Sequence, residues 1–269
     1  MDKTLLNKYE ALKEYLKSLK SVAVAFSSGV DSTFLLYAAK EALGDQMIAI
    51  TTASGSFPKR ELDEAAEYCK KLSVKHIVIV TQELKIEGFA ENPKNRCYIC
   101  KREIFGNIKR TALAEGMAAV VEGSNIDDNG DYRPGMQAIA ELDIKSPLRH
   151  VGLTKQEIRD LSKYLNIPTY NKPSYACLAT RFPYGERISA EKLRMVDLGE
   201  QLLLDLGFKQ MRVRIHGDVA RIEVIPEEFD KIMSKDIRET IYKKFKEYGF
   251  SYVALDLLGY RTGSMNETL

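Results

Sequence analysis

The chain has 269 residues, 45% of them hydrophobic and 29% charged, and 40 Lys and Arg against 38 Asp and Glu leave a formal net charge of +2. That balance suits a soluble globular protein of roughly two domains and excludes a nucleic-acid or membrane surface built on global charge. No apolar run approaches the ~18 residues of a membrane-spanning helix, and the charged opening MDKTLLNKYEALKEYLKSLK lacks a signal-peptide core; the expected location is the cytoplasm, where thiols stay reduced.

Leu5, Tyr9, Leu12, Leu16 and Leu19 recur at helical spacing and predict an amphipathic first helix. SVAVAF (21–26) then reads as a short buried strand, SSGVDS as a turn, and TFLLYAAKEAL as a helix ending at Gly44. The alternation continues with a strand at 46–52, a helix over about 59–72, a strand at 76–80, a helix over about 99–115 and a strand at 117–123. Thr154 and Glu157 form a capping box for a further helix, KQEIRDLSKYL. Short buried strands alternating with helices predict an α/β domain with a parallel sheet.

Beyond residue 185 the pattern changes. A helix over about 189–206 leads into QMRVRIHGDVARIEVI, two alternating strands around His216-Gly217-Asp218 that read as a hairpin, then two helical stretches and SYVALDLL. The expected organisation is a nucleotide-binding domain over 1–172, a linker over 173–188 carrying Cys177, and a small α+β domain over 189–269 that contributes to substrate binding.

Ligands of an open α/β sheet sit at the carboxyl ends of strands. AFSSGVDST occupies that position after the first strand, and its small residues let backbone amides converge on a phosphate at a helix N-terminus. No lysine follows the glycine, so this is not GxxxxGK[ST]. The bland reading is a plain helix N-cap by Ser or Asp. The stretch resembles instead the PP-loop, SGGxDS, of ATP pyrophosphatases, with Ser27, Gly29, Asp31 and Ser32 on the motif, Val30 at its variable position, and Ser28 in place of the first glycine. A side chain at 28 either crowds the phosphate or adds a hydroxyl donor. EGSNIDD (122–128), with Gly123, follows a later strand where such enzymes complete the nucleotide site.

Four cysteines remain to be placed. Cys69 falls on the core face of a helix. Cys97 and Cys100 form a C-x-x-C where a loop enters a helix, and Cys177 lies in the irregular KPSYACLATRFPYGERI. Structural zinc usually takes four ligands, yet no second pair exists and His76, His150 and His216 are isolated. Three thiolates suit an iron–sulfur cluster with one open iron.

With VAFSSGVDST, NRCYICK, EGSNIDD, KPSYACLATRFPYGERI and RVRIHGDVARIEV all present, the chain resembles the LarE family over nearly its whole length. The resemblance implies an ATP-dependent sulfur transferase of nickel-pincer cofactor assembly, with an adenine nucleotide alpha-hydrolase-like fold. It implies ATP and Mg²⁺, and adenylation of a carboxylate of a pyridinium-dicarboxylate mononucleotide followed by exchange of oxygen for sulfur. Some members sacrifice the cysteine matching Cys177, leaving dehydroalanine. Others carry two further cysteines and use a [4Fe-4S] cluster, and Cys97, Cys100 and Cys177 together match that type. Asp31 and Cys177 are then the expected catalytic residues, and sulfide or another sulfur donor is a partner.

Arg212, Arg214 and His216 alternate with Val213 and Ile215 and so share one strand face, with Arg181 four residues beyond Cys177. Read locally, the stripe is the solvated outer face of a ribbon. The resemblance turns it into a site for the phosphate and carboxylates of the mononucleotide, which guanidinium matches bidentately. Arg133 is a weaker candidate. A homo-oligomer is expected, with no nucleic-acid partner and no membrane. The rival readings are a tRNA-thiolating enzyme, which the weak net charge disfavours, a regulatory nucleotide-binding module, and an amide-forming ligase that would not need the cysteines.

Overall fold

The computed structural model describes residues 2–129, 134–173, 177–261 and 263–266. The chain divides into two packed units, residues 1–81 with 97–175 and residues 82–96 with 176–269. Arg133 lies outside the described residues.

In the first unit, α1 (Lys3–Ser18) buries Leu5, Tyr9, Leu12 and Leu16, the stripe expected from its spacing. There follow β1 (Val22–Ala25), α2 (Val30–Leu43), β2 (Met47–Ala53), α3 (Lys59–Lys71), β3 (Lys75–Val80), α4 (Arg96–Ala114), β4 (Ala119–Val121) and the helices α5 (Gly135–Glu141), α6 (Pro147–His150) and α7 (Lys155–Tyr164). The four strands pair in parallel in the order β3-β2-β1-β4. Successive residues of a strand point to opposite faces. Val22 and Val24 therefore enter the core under α1, α2 and α7, while Ala23 joins Phe105 and Ile108 of α4. A sheet covered on both faces explains why these strands read as continuous apolar runs. From β1 the chain passes to β2 on one side, while β4 pairs on the other. That reversal makes the carboxyl ends of β1 and β4 the place where a crevice opens.

In the second unit, α8 (Ala190–Asp205) precedes β5 (Met211–His216) and β6 (Val219–Val224), which pair antiparallel, Arg212 opposite Glu223 and Arg214 opposite Arg221. Gly217 turns the hairpin at φ 60°, a conformation costly for a residue with a Cβ. Then come α9 (Phe229–Met233), α10 (Lys235–Tyr248) and β7 (Tyr252–Leu255), the last parallel to β6. Gly199 lets α8 press close, since a Cβ there would meet Phe245 Cζ at 3.0 Å and Val213 Cγ2 at 3.3 Å.

Three features differ from the sequence reading. Residues 82–96, placed by sequence in the first domain, pack with the second unit: Asn92 Nδ2 donates to Pro183 O at 2.7 Å, and Gly185 N and Ile188 N donate to Asn92 O and Ala90 O. Residues 177–188, read as linker, carry buried Leu178, Ala179, Arg181, Phe182 and Ile188. Both are long-range contacts that no local pattern announces. Helix α4 also starts at Arg96, earlier than expected, because the buried Arg96 guanidinium binds Asn92 Oδ1 and Ala179 O. Among the described residues no helix is long and apolar enough to cross a membrane.

Candidate active site

The segment between β1 and α2 is held by its own hydroxyls. Ser32 Oγ donates to Gly29 O at 3.2 Å and accepts from Ser27 N at 3.3 Å, and it lies 3.1 Å from Ser27 Oγ. Gly29 is the N-cap residue of α2, and no side chain caps the helix. That corrects the reading of a Ser or Asp cap: the first-turn amides of α2 lack intrahelical acceptors and stay directed at the crevice.

Ser28 sits at φ 54° and is fully buried. Its hydroxyl lies 2.7 Å from Ser27 O and 3.0 Å from both Glu61 O and Glu61 Oε2. Neither expectation for this side chain holds, because it turns into α3 and away from the cradle. The backbone conformation also explains why the motif it resembles carries glycine here: the left-handed region costs an L-residue about 1 kcal/mol.

Asp31 lies in the first turn of α2. Its Oδ2 accepts from Lys155 Nζ at 2.6 Å, while Oδ1 is buried with no hydrogen-bond partner among the described residues. Burial pushes the carboxyl above the usual Asp range, and Lys155 partly opposes this. Beside it, Gly123 permits close backbone approach, since a Cβ there would stand 3.0 Å from Ser32 N and 3.2 Å from Asp31 C. That contact brings 122–128 against the loop. Glu122 accepts from Ser124 N at 3.0 Å and from Ser146 Oγ, Asp128 Oδ2 accepts from Asn125 N at 2.9 Å, and Asp127 Oδ2 accepts from Lys155 N at 2.7 Å. A carboxylate oxygen without a donor, beside uncapped amides, suits a phosphate chain accompanied by a divalent cation.

Lys155 escaped the sequence reading, although a signal existed. It directly follows the N-cap Thr154, and a cation in a helix's first turn opposes the helix dipole. Asp31 holds its ammonium, and Asp127 accepts from its backbone amide.

The cysteines have distinct surroundings. Cys69 is buried, and burial pushes its thiol up to about 12. Cys97 and Cys100 stand three apart at the start of α4, so they share one helix face, and both are half-buried. Cys177 is an exposed thiol at the start of a short 3₁₀ turn, Leu178–Arg181, with its carbonyl fixed by Thr180 Oγ1 at 2.8 Å and Arg181 Nη1 at 3.3 Å. Cys97 and Cys100 belong to the first unit and Cys177 to the second. Among the described residues no three His, Cys, Asp or Glu side chains stand together as a metal-holding group.

Arg212 and Arg214 are 3% and 5% exposed, which overturns the solvated-ribbon reading, whereas His216 is exposed. Arg181, 1% exposed, donates through Nε and Nη2 to Glu200 at 2.7 and 3.0 Å. Glu200 is buried too, and this pair holds its carboxyl below the usual Glu range against the opposing effect of burial. Arg214 donates to Glu223 Oε2 at 3.0 Å, Thr180 O at 3.1 Å and Ser264 Oγ at 3.1 Å. Arg212 donates to Met211 O at 2.6 Å, and its guanidinium lies 5.1 Å from the Tyr260 ring centre. Burial first, then the Arg181 charge, pushes Arg212 down to about 10. Charge crowding of this kind favours an anion. His216 Nε2 accepts from Arg221 Nε at 3.1 Å; although the residue as a whole is exposed, partial desolvation of the ring and then the Arg221 charge hold the imidazole below its usual range.

A parallel sheet with a glycine-containing loop at the carboxyl end of β1, uncapped amides and an aspartate in the first turn defines a nucleotide-binding α/β protein of the PP-loop type. The family model of the queuosine biosynthesis protein QueC matches residues 21–94, from β1 through β3. Over the whole chain the similarities are more specific. An uncharacterised protein of Synechocystis sp. is 39% identical over 265 residues, 98% of this chain and 99% of that protein. The pyridinium-3,5-bisthiocarboxylic acid mononucleotide synthase of Lactiplantibacillus plantarum is 33% identical over 267 residues, 99% of this chain and 96% of that enzyme. An argininosuccinate synthase of Haloarcula marismortui is 32% identical over 147 residues, 51% of this chain and 35% of that enzyme. The chain belongs to the LarE family, that of the pyridinium-3,5-bisthiocarboxylic acid mononucleotide synthase.

Proposed function

We propose that this chain is an ATP-dependent sulfurtransferase that converts a carboxylate of pyridinium-3,5-biscarboxylic acid mononucleotide to a thiocarboxylate in nickel-pincer nucleotide cofactor synthesis. The observation that carries the reading is identity to the synthase along the full chain, coinciding with an uncapped loop and Asp31 at the carboxyl end of β1. In the first step a substrate carboxylate oxygen attacks the α-phosphorus of ATP, the bond to the bridging oxygen breaks, and pyrophosphate leaves. The amides of the first turn of α2 and the hydroxyls of Ser27 and Ser32 hold the phosphates, and Asp31 would hold a Mg²⁺ ion, which when bound would shield their charge. In the second step sulfur attacks the acyl carbon, the bond from that carbon to the phosphate oxygen breaks, and AMP leaves with the electron pair. Arg181, Arg212 and Arg214 of the second unit orient the anionic mononucleotide, and Gly123 keeps the 122–128 turn against the nucleotide loop.

Sulfur delivery is proposed to use Cys97, Cys100 and Cys177 as ligands of a [4Fe-4S] cluster, supported by the donor set: two half-buried cysteines one helical turn apart and one exposed cysteine, with Cys69 withdrawn into the core. When bound, such a cluster supplies an iron without a protein ligand, where sulfide can be held. The exposure of Cys177 supports a second reading, direct donation of its own sulfur. The cytoplasm, where thiols stay reduced, is the proposed setting.

Incubation with ATP, Mg²⁺, the mononucleotide and sulfide under anaerobic conditions tests both layers. AMP, pyrophosphate and a thiocarboxylate are expected; ADP and phosphate would overturn the ATP chemistry. With the cluster, Cys97→Ala abolishes turnover and Cys177 stays intact. A loss of about 34 Da from Cys177, hydrogen sulfide leaving a cysteine, establishes donation from Cys177 itself.

A further inference from the structure

The phosphate loop carries no lysine, yet a buried ammonium reaches its backbone from far along the chain. Lys172 Nζ donates to Ser28 O at 3.1 Å and pairs with Glu61 Oε2 at 2.7 Å and with Glu64. The Lys172 and Glu61 side chains are only 11% and 6% exposed. Glu61 stands in the first turn of α3, and its carbonyl and carboxylate both face the Ser28 hydroxyl. A pair this deeply buried adds little net stability over an apolar replacement, because desolvation offsets the attraction. What it does add is geometry.

The peptide between Ser28 and Gly29 is trans, as are all among the described residues. The carbonyl and the N–H of a trans peptide point in opposite directions. Fixing the Ser28 carbonyl toward Lys172 and α3 therefore fixes the Gly29 amide toward the other side, where the uncapped N-terminus of α2 opens. Ser28 needs that restraint more than glycine would: its φ of 54° costs about 1 kcal/mol in an L-residue, and its single hydroxyl proton is shared among three acceptors. We propose that Lys172, through Glu61 and the Ser28 carbonyl, is a positioning residue that holds the Ser28–Gly29 peptide in its phosphate-binding orientation and makes serine workable where the motif has glycine. The inference rests on the loop binding ATP as proposed above.

Calorimetric titration with ATP and Mg²⁺, without the carboxylate substrate, tests it on the full chain. Lys172→Met is expected to weaken ATP about tenfold, and Ser28→Gly to change it less than twofold. In the double variant the Lys172→Met penalty should shrink to threefold or less, since glycine holds the conformation unaided. Glu61→Gln, which keeps volume and hydrogen bonding, should weaken ATP at least threefold and covers the case in which Lys172→Met fails to fold. A merely structural lysine would lower the melting temperature alike in both backgrounds and leave the affinity of folded protein unchanged. Unchanged ATP affinity in Lys172→Met or Glu61→Gln, or an equal Lys172→Met penalty in the wild-type and Ser28→Gly backgrounds, overturns the role of Lys172 alone. A wild-type chain that binds no ATP brings down the reading of the loop and this inference with it.

Discussion

The two units place charge differently. Around the loop after β1 the groups proposed to bind the anion are backbone amides; of the ionic pairs beside it, Asp31 and Lys155 are only partly enclosed, at 24% and 32% exposed, while Lys172 and Glu61 are buried behind the loop and bind its backbone and hydroxyl. In the second unit the cations themselves are buried, and buried carboxylates answer them, Glu200 to Arg181 and Glu223 to Arg214. Amide dipoles need no counter-ion when the site is empty; guanidinium groups out of water do. A phosphate cradle can therefore be made from small residues alone, whereas an arginine site requires carboxylates elsewhere in the fold.

The largest effect is expected where a buried partner is removed. Glu200→Gln leaves the Arg181 guanidinium without its charge partner and should cost the second unit about 3–5 kcal/mol, read as a drop in melting temperature at pH 7. The folded value of Glu200 is depressed, so its stabilisation is present above the usual Glu range and is lost as pH falls through the lower folded value. The wild type should lose stability below about pH 4, and the variant should lack that part of the acid limb. Equal acid limbs would place the stabilisation elsewhere.

Asp31→Asn comes next and addresses the first unit. It keeps the shape and removes the charge that a cation needs, so pyrophosphate release should slow about a hundredfold with the fold intact. A change below threefold would remove Asp31 from the chemistry.

Arg212→Met separates function from stability within the second unit. The Arg212 cation is disfavoured by burial and by Arg181, so the variant should melt no lower than wild type. Losing one charge-assisted contact should weaken the mononucleotide by about 1.5–3 kcal/mol, measured by titration. A lower melting temperature with unchanged affinity would make Arg212 structural.

The smallest effect belongs to a purely local feature. Thr154→Ala removes the hydroxyl that accepts from Glu157 N at 3.1 Å and should cost about 1 kcal/mol, seen in chemical denaturation. A larger loss accompanied by slower pyrophosphate release would show that the cap also holds Lys155 against Asp31.

What could be read along the chain was what short-range physics writes there. The strand–helix alternation, the Thr154–Glu157 capping box, the turn at Gly217 and the core face holding Cys69 each depend on residues a few positions apart, and each stands in the structure where the pattern placed it. The loop at the carboxyl end of β1 was legible for the same reason: strand, small residues and helix are contiguous. The charges around it were not. Lys155 meets Asp31 across 124 positions and Lys172 meets Ser28 across 144, and no period or spacing encodes such a meeting. The arginines of β5 show the same limit, since alternation says that Arg212 and Arg214 share a face but not whether that face meets water. Packing of α8 and of residues 177–188 in the second unit buried them, and the carboxylates of Glu200 and Glu223, brought close only by folding, made that burial tolerable.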